Sequence, residues 1–214
     1  MQIYPSKKSL VSGLSFSVLL IVIAEPLAQS QIPRFIKAER KPNKHIITST
    51  KANYKKPQTE PLSSYTLNLV KEFEGFSSQA YQDTDGTIVI GYGMPEIKDK
   101  KVKMGDRISS AQAETALKQE LQKIQQEILS MIKVDLTSNQ LSALVSFSFN
   151  IGTKFLADST LLAKINAGEH YGAANEFIRW NKAHLNGELV PMTGLTRRRT
   201  TEKQLFLAPS PRSK

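Results

Sequence analysis

Apolar positions along the chain fall into a sequence of distinct patterns. Leu10–Ala24 is an uncharged stretch rich in Leu, Val and Ile, preceded by Lys7 and Lys8. From Gln31 to Pro61 no helical or alternating period is sustained, and Pro33, Pro42, Pro57 and Pro61 interrupt the chain. Periodicity begins near Ser63, where Leu67, Leu69, Val70 and Phe73 form one helical stripe that Glu74-Gly75 should end. Ala80 to Gly93 then reads as a β-hairpin, because Asp85-Gly86 offers turn chemistry beside the β-branched run Thr87–Ile90. A Lys-rich turn over 98–103 leads into a long helix with Ala113, Ala116, Leu117, Leu121, Ile124, Ile128 and Met131 on one face. Ser109 with Gln112, and Thr137 with Gln140, have the spacing of capping boxes, in which a hydroxyl and an amide three residues apart satisfy each other's backbone donors.

Leu141–Phe149 is apolar on nearly all sides and is expected to be the central core helix, closed by Asn150-Ile151-Gly152. Shorter helices are expected around Thr160–Asn166, His170–Trp180 and Thr196–Leu207. No internal repeat is present. These elements predict an α+β fold with a helical lobe, a small hairpin lobe, a long helix joining them and a cleft between. The organisation expected is an N-terminal targeting segment over 1–30, a linker over 31–61, a folded domain over 62–208 and a tail over 209–214.

Composition changes this picture in three ways. With 40% hydrophobic and 22% charged residues, the 214-residue chain can bury a core of ordinary domain size. There is no cysteine and the three histidines are scattered, so disulfides are excluded and no metal or cofactor is implied. The net charge of +10 is uneven: residues 31–64 hold eight basic and two acidic side chains, while 65–214 hold 19 and 16. That distribution argues against a nucleic-acid reader with a basic binding face. It suits either a solvated spacer or a tether attracted to anionic cell-envelope polymers.

Basic residues followed by an apolar run and small residues match a secretory signal peptide, with Ala24 or Ser30 ending candidate cleavage motifs. About 15 apolar residues fall short of the roughly 20 of a spanning helix, so an uncleaved signal anchor and a buried core helix are the alternatives. Contact with a membrane is expected only through such an anchor. The protein is expected to be exported, periplasmic or secreted, and monomeric.

Glycoside cleavage needs a carboxylic acid to protonate the leaving oxygen and a second carboxylate to activate water or stabilise positive charge. Glu74 at a helix end and Asp83 in the hairpin lobe could supply that pair, although two acidic residues by themselves are weak evidence. A broader pattern surrounds them. Leu69–Phe76, Ala80–Asp83, Gly86, Ile90–Gly93, Leu136-Thr137, Asn139-Gln140, Ala143–Phe147, Asn150–Gly152, Ser159–Leu162, Gly172–Ala174, Trp180, Gly194-Leu195 and Arg197–Arg199 follow in order over about 140 residues. In these motifs the chain resembles the phage-type lysozymes, the muramidase family of endolysins.

That resemblance implies a lysozyme-like fold and cleavage of the β-1,4 bond between N-acetylmuramic acid and N-acetylglucosamine in bacterial peptidoglycan. It implies Glu74 as general acid and Asp83 as the second carboxylate, with Phe149 and Thr160 at positions that contact sugar. One of Arg197, Arg198 or Arg199 would orient Glu74. Against these stand plainer readings: core packing for Phe149, a solvated helix start for the arginines, and core rather than sugar platform for Trp180. Two positions depart from the pattern. The threonine six residues after the aspartate is Val89, and the histidine after the Gly-Tyr-Gly turn is Met94. Valine lacks the hydroxyl that would help hold a water, so two alternatives stand beside hydrolysis: a lytic transglycosylase, and a weakened glycan-binding homologue.

Overall fold

The computed structural model describes residues 61–83, 86–185 and 188–209. The apolar segment at 10–24, the basic linker and Asp85 of the expected turn lie outside them.

Helix α1 (Ser64–Glu74) starts where Ser63 accepts the Tyr65 N–H and stops at Gly75, whose φ of 69° ends the helical path. Only Gly75 and Phe76 separate it from strand β1 (Ser77–Gln82), which pairs antiparallel with β2 (Ile88–Gly91). Tyr81 lies opposite Val89 and Gln82 opposite Ile88, with an irregularity between Ser77 and Tyr81. The segment at 106–108 adds to the other edge of β1, through Ala80 N–H to the Asp106 carbonyl and Ile108 N–H to the Ser78 carbonyl, both at 3.0 Å.

The Lys-rich turn turns out to be a second hairpin, β3 (Glu96–Ile97) with β4 (Lys100–Lys101), in which Lys98 and Asp99 both have positive φ. Sequence patterning misses it because each arm is two residues long, too short for an alternation to show.

Both expected capping boxes are present, opening α2 (Ser110–Met131) and α3 (Ser138–Ile151). Helix α3 is buried on nearly every side from Ser142 to Ser148, as its apolar sequence requires. Three elements follow that the sequence reading gives closely: α5 (Thr160–Asn166), α6 (His170–Glu176) continued by a 3-10 turn to Trp180, and α7 (Thr193–Leu207). Two others were not expected, the short α4 (Thr153–Ala157) and a third hairpin, β5 (Lys182–Leu185) with β6 (Glu188–Pro191).

One core runs through both parts of the molecule, from Ile90 and Tyr92 of the hairpin region through Leu117 and Leu121 of α2 to Leu144, Phe147, Phe177 and Phe206. Phe147 meets the rings of Phe177 and Trp180 edge-on at 5.1 and 5.5 Å, so Trp180 is a core residue. Where β2 crosses α2, a Cβ at Gly91 would lie 3.0 Å from that of Ala113, and its φ is +69°. Close approach and left-handed backbone together require glycine there.

Candidate active site

Glu74 is the last residue of α1, and three side chains of other elements fix that helix in place. Thr66 Oγ1 donates to Ser142 Oγ of α3 at 2.8 Å, and Lys71 pairs with Glu114 of α2. The bond to Glu114 raises the Lys71 ammonium above its ordinary value. Arg197 of α7 donates to Glu72 at 2.6 Å on the exposed side.

The Glu74 carboxylate itself is almost wholly enclosed, 1% exposed. Arg198 Nη1 donates to its Oε1 at 2.6 Å, Nη2 to the Ser146 carbonyl at 3.0 Å, and Nε to Glu202 Oε1 at 3.2 Å. Ser146 Oγ donates to the same Glu202 oxygen at 2.8 Å. Arg199 stands 3.1 Å from the other Glu202 oxygen as an ion pair, donates to Asn150 Oδ1, and stacks its guanidinium 4.8 Å from the centre of the Phe147 ring.

Two carboxyl and two guanidinium groups thus form one buried set. Burial alone would pull Arg198 down, but Glu74 and Glu202 outweigh it and raise it above the ordinary arginine value. Burial dominates at Arg199 and pushes it down to about 10, against the pull of Glu202.

This settles the choice within the arginine run in favour of Arg198 and corrects the reading of that run as a solvated helix start: Arg198 and Arg199 are buried, and only Arg197 is exposed. Sequence reasoning missed Glu202. Its signal was present, because Arg198 and Arg199 precede it by four and three residues, the spacings at which side chains meet on a helix.

Asp83 sits just past β1, where its N–H donates to the Thr87 carbonyl at 2.8 Å and its carbonyl accepts from Gly86 at 2.9 Å. Strand alternation puts Asp83, Tyr81, Val89 and Thr87 on one face of the hairpin, and Ile88 and Ile90 on the face that joins the core. Val89 is 3% exposed. Met94 is likewise buried, exchanging backbone bonds with Ile90 at 3.0 Å across the Gly-Tyr-Gly turn.

Phe149 is half-buried and packs against the core from α3. Thr160, at the start of α5, donates its hydroxyl to Glu176 Oε2 at 3.0 Å. Glu176 also holds Lys164, and Arg179 at 2.9 Å. Burial would raise that carboxyl, but its partners prevail and hold it below the ordinary carboxylate range.

Residues 71–202 match the family model described as Phage lysozyme. The chain is 40% identical over 145 residues to the endolysin of Acyrthosiphon pisum secondary endosymbiont phage 1, covering 68% of this chain and 97% of that one. With the endolysin of Bacillus phage B103 it shares 39% identity over 148 residues, which is 68% of this chain and about half, 54%, of that protein. The fold is similar to the solved endolysin from Escherichia coli O157:H7 phage FAHEc1, with a TM-score of 0.66, 38% identity, and coverage of 72% and 98%. Ordered motifs, α+β architecture and these likenesses agree, and the chain belongs to the phage lysozyme family.

Proposed function

We propose that the protein is a peptidoglycan hydrolase of the muramidase type, cutting the β-1,4 bond between N-acetylmuramic acid and N-acetylglucosamine. Glu74 is the general acid and Asp83 the carboxylate that positions water or offsets the developing positive charge. The observation that carries this reading is the buried Arg198–Glu74 contact. A carboxyl held by a bidentate-capable partner on a different helix has one orientation, and proton transfer to a glycosidic oxygen depends on that orientation. Phe149 and Thr160 are proposed sugar contacts, Thr160 through whichever hydroxyl orientation its bond to Glu176 leaves.

The domain so assigned spans 62–208, behind an export segment over 1–30 and the basic linker over 31–61. Export places it beside its substrate, and the linker's excess of six positive charges draws it to anionic envelope polymers at low salt. No helix among the described residues is long and apolar enough to cross a membrane.

A second reading rests on Val89. Without a hydroxyl at position 89, the substrate's own 6-hydroxyl can replace water as the attacking group, which is lytic transglycosylation. Mass spectrometry of digested peptidoglycan separates the readings: reducing ends mean hydrolysis, anhydro ends mean transglycosylation, and no release leaves a glycan-binding protein.

A further inference from the structure

A concave site lies behind the first hairpin, where Ile90 turns away from the face that carries Val89 and Asp83. It is a groove of about 580 Å³ between the β3–β4 hairpin and the exposed side of α2. Its volume is that of an ordinary small-ligand site. Ile90, Ile97, Val102 and Ile108 contribute its apolar lining, and Ala111 and Thr115 its α2 wall.

The rim is cationic. Lys98, Lys100, Lys101 and Arg107 line the opening, with Asp106 as the acidic lining residue, and the Asp106 carboxylate is engaged by the Lys103 N–H at 2.8 Å. Residues 98–107 hold five basic and two acidic side chains, whereas the rest of 65–214 holds 14 of each. With Glu96 of the same hairpin counted, 96–107 carries five basic and three acidic side chains, a net +2 of the +3 held by 65–214.

Two further features point outward. Lys98 and Asp99 occupy the hairpin tip with φ of 50° and 60°, which puts charged side chains at the turn. Met104, in the turn between the lining residues Val102 and Asp106, is 64% exposed. An exposed flexible apolar side chain with cationic residues close by in the chain suits insertion among acyl chains while those neighbours meet phosphate.

We propose that this groove and rim are a docking site for anionic phospholipid, through which the folded domain rests on a membrane surface with its Glu74–Asp83 side directed elsewhere. The apolar lining and Met104 favour a lipid over a polyol-phosphate wall polymer, which offers charge without an acyl chain. The site is independent of the glycosidase reading, since it uses none of the residues assigned to that chemistry.

The test uses the full chain carrying Met104→Trp, because the basic linker and N-terminal segment can bind vesicles by themselves and only a reporter in this turn isolates the site. Phosphatidylglycerol vesicles are expected to shift the new tryptophan's emission to the blue, and phosphatidylcholine vesicles to leave it in place. Adding Lys100→Glu and Lys101→Glu should weaken the half-saturation of that shift by at least about tenfold. Ala111→Phe, which fills the groove from the α2 side, should weaken it severalfold, with helical circular dichroism unchanged in every variant. An emission that stays fixed while the chain sediments with anionic vesicles overturns the proposal. So does an equal shift with phosphatidylcholine, a shift that survives both charge reversals or the groove filling, or an equal shift with purified teichoic acid.

Discussion

Arg198 Nη1 and Glu74 Oε1 stand 2.6 Å apart although 124 residues separate them, and both side chains are buried, 3% and 1% exposed. The contact ties the end of the first helix to the last helix at the one carboxylate on which the proposed chemistry depends. A buried charge pair costs several kcal/mol of desolvation per ion. Part of that loss is offset here, because Glu202 binds Arg198 and pairs with Arg199, and Ser146 and Asn150 add hydrogen bonds, while Arg199 Nε is buried without a hydrogen-bond partner.

Glu74→Gln is expected to lower wall-lytic activity by at least about a hundredfold, since an amide has no proton to give the leaving oxygen. At a solvated site this near-isosteric change would leave stability unaltered. Burial beside Arg198 alters that expectation: the amide keeps an acceptor but can never be the ionised partner that a buried guanidinium pairs with, so the melting temperature should fall while the circular dichroism spectrum stays native. A zymogram on purified walls with matched amounts of folded protein measures the activity. Retention of most of the lytic rate would remove Glu74 from its assigned role.

Arg198→Met should destabilise the domain by about 3–5 kcal/mol, the usual result of leaving a buried charge without its partner. Arg198→Lys should lose less stability, because a positive charge remains, yet still lose activity, because an ammonium cannot reproduce the three-way geometry to Glu74, Ser146 and Glu202. Urea unfolding together with kcat on soluble glycan fragments distinguishes the two effects. Equal losses of activity and stability in the lysine variant would make the contact purely structural.

Val89→Thr is expected to raise the hydrolytic rate, since a hydroxyl on the Asp83 face would add a bond orienting water, worth about 1–3 kcal/mol or roughly five- to a hundredfold. Its 3% exposure opposes this with a desolvation cost of about 1–3 kcal/mol in stability if the hydroxyl finds no partner. Muropeptide release and product type decide the matter. A change from anhydro to reducing ends would identify the natural chain as a transglycosylase, whereas no rate gain over an already fast hydrolysis would show that water is activated without this position.

Glu176 predicts a sensitivity to acid. Its partners hold its folded carboxyl below the ordinary value of 4.5, so it contributes stability above that pH and loses it as the pH falls through the lower folded value. Glu176→Gln should be less stable than the natural chain at neutral pH, and the difference should shrink below about pH 4. Thermal melts across pH 3–7 for both forms provide the check; a gap constant over the range would mean that the Lys164, Arg179 and Thr160 bonds add nothing through charge.

Local pattern determined much of this protein. The stripe from Leu67 to Phe73, the two capping boxes and the all-round apolar character of Leu141–Phe149 act within a turn or two of helix, so α1, α2 and α3 begin and end where the residues themselves dictate. The ordered motifs likewise carried the family and the candidate carboxylates. Tertiary structure alone decided which of three adjacent arginines meets Glu74, because Arg197, Arg198 and Arg199 are equivalent in sequence and differ only by the 100° or so that each residue turns about a helix axis. It also decided that Glu202 completes the set and that the lysines over 98–103 form a hairpin over a groove. Burial of the charged set depends on α1 and α3 being brought against α7 from elsewhere in the chain, and a hairpin with two-residue arms is too short for a local period to record.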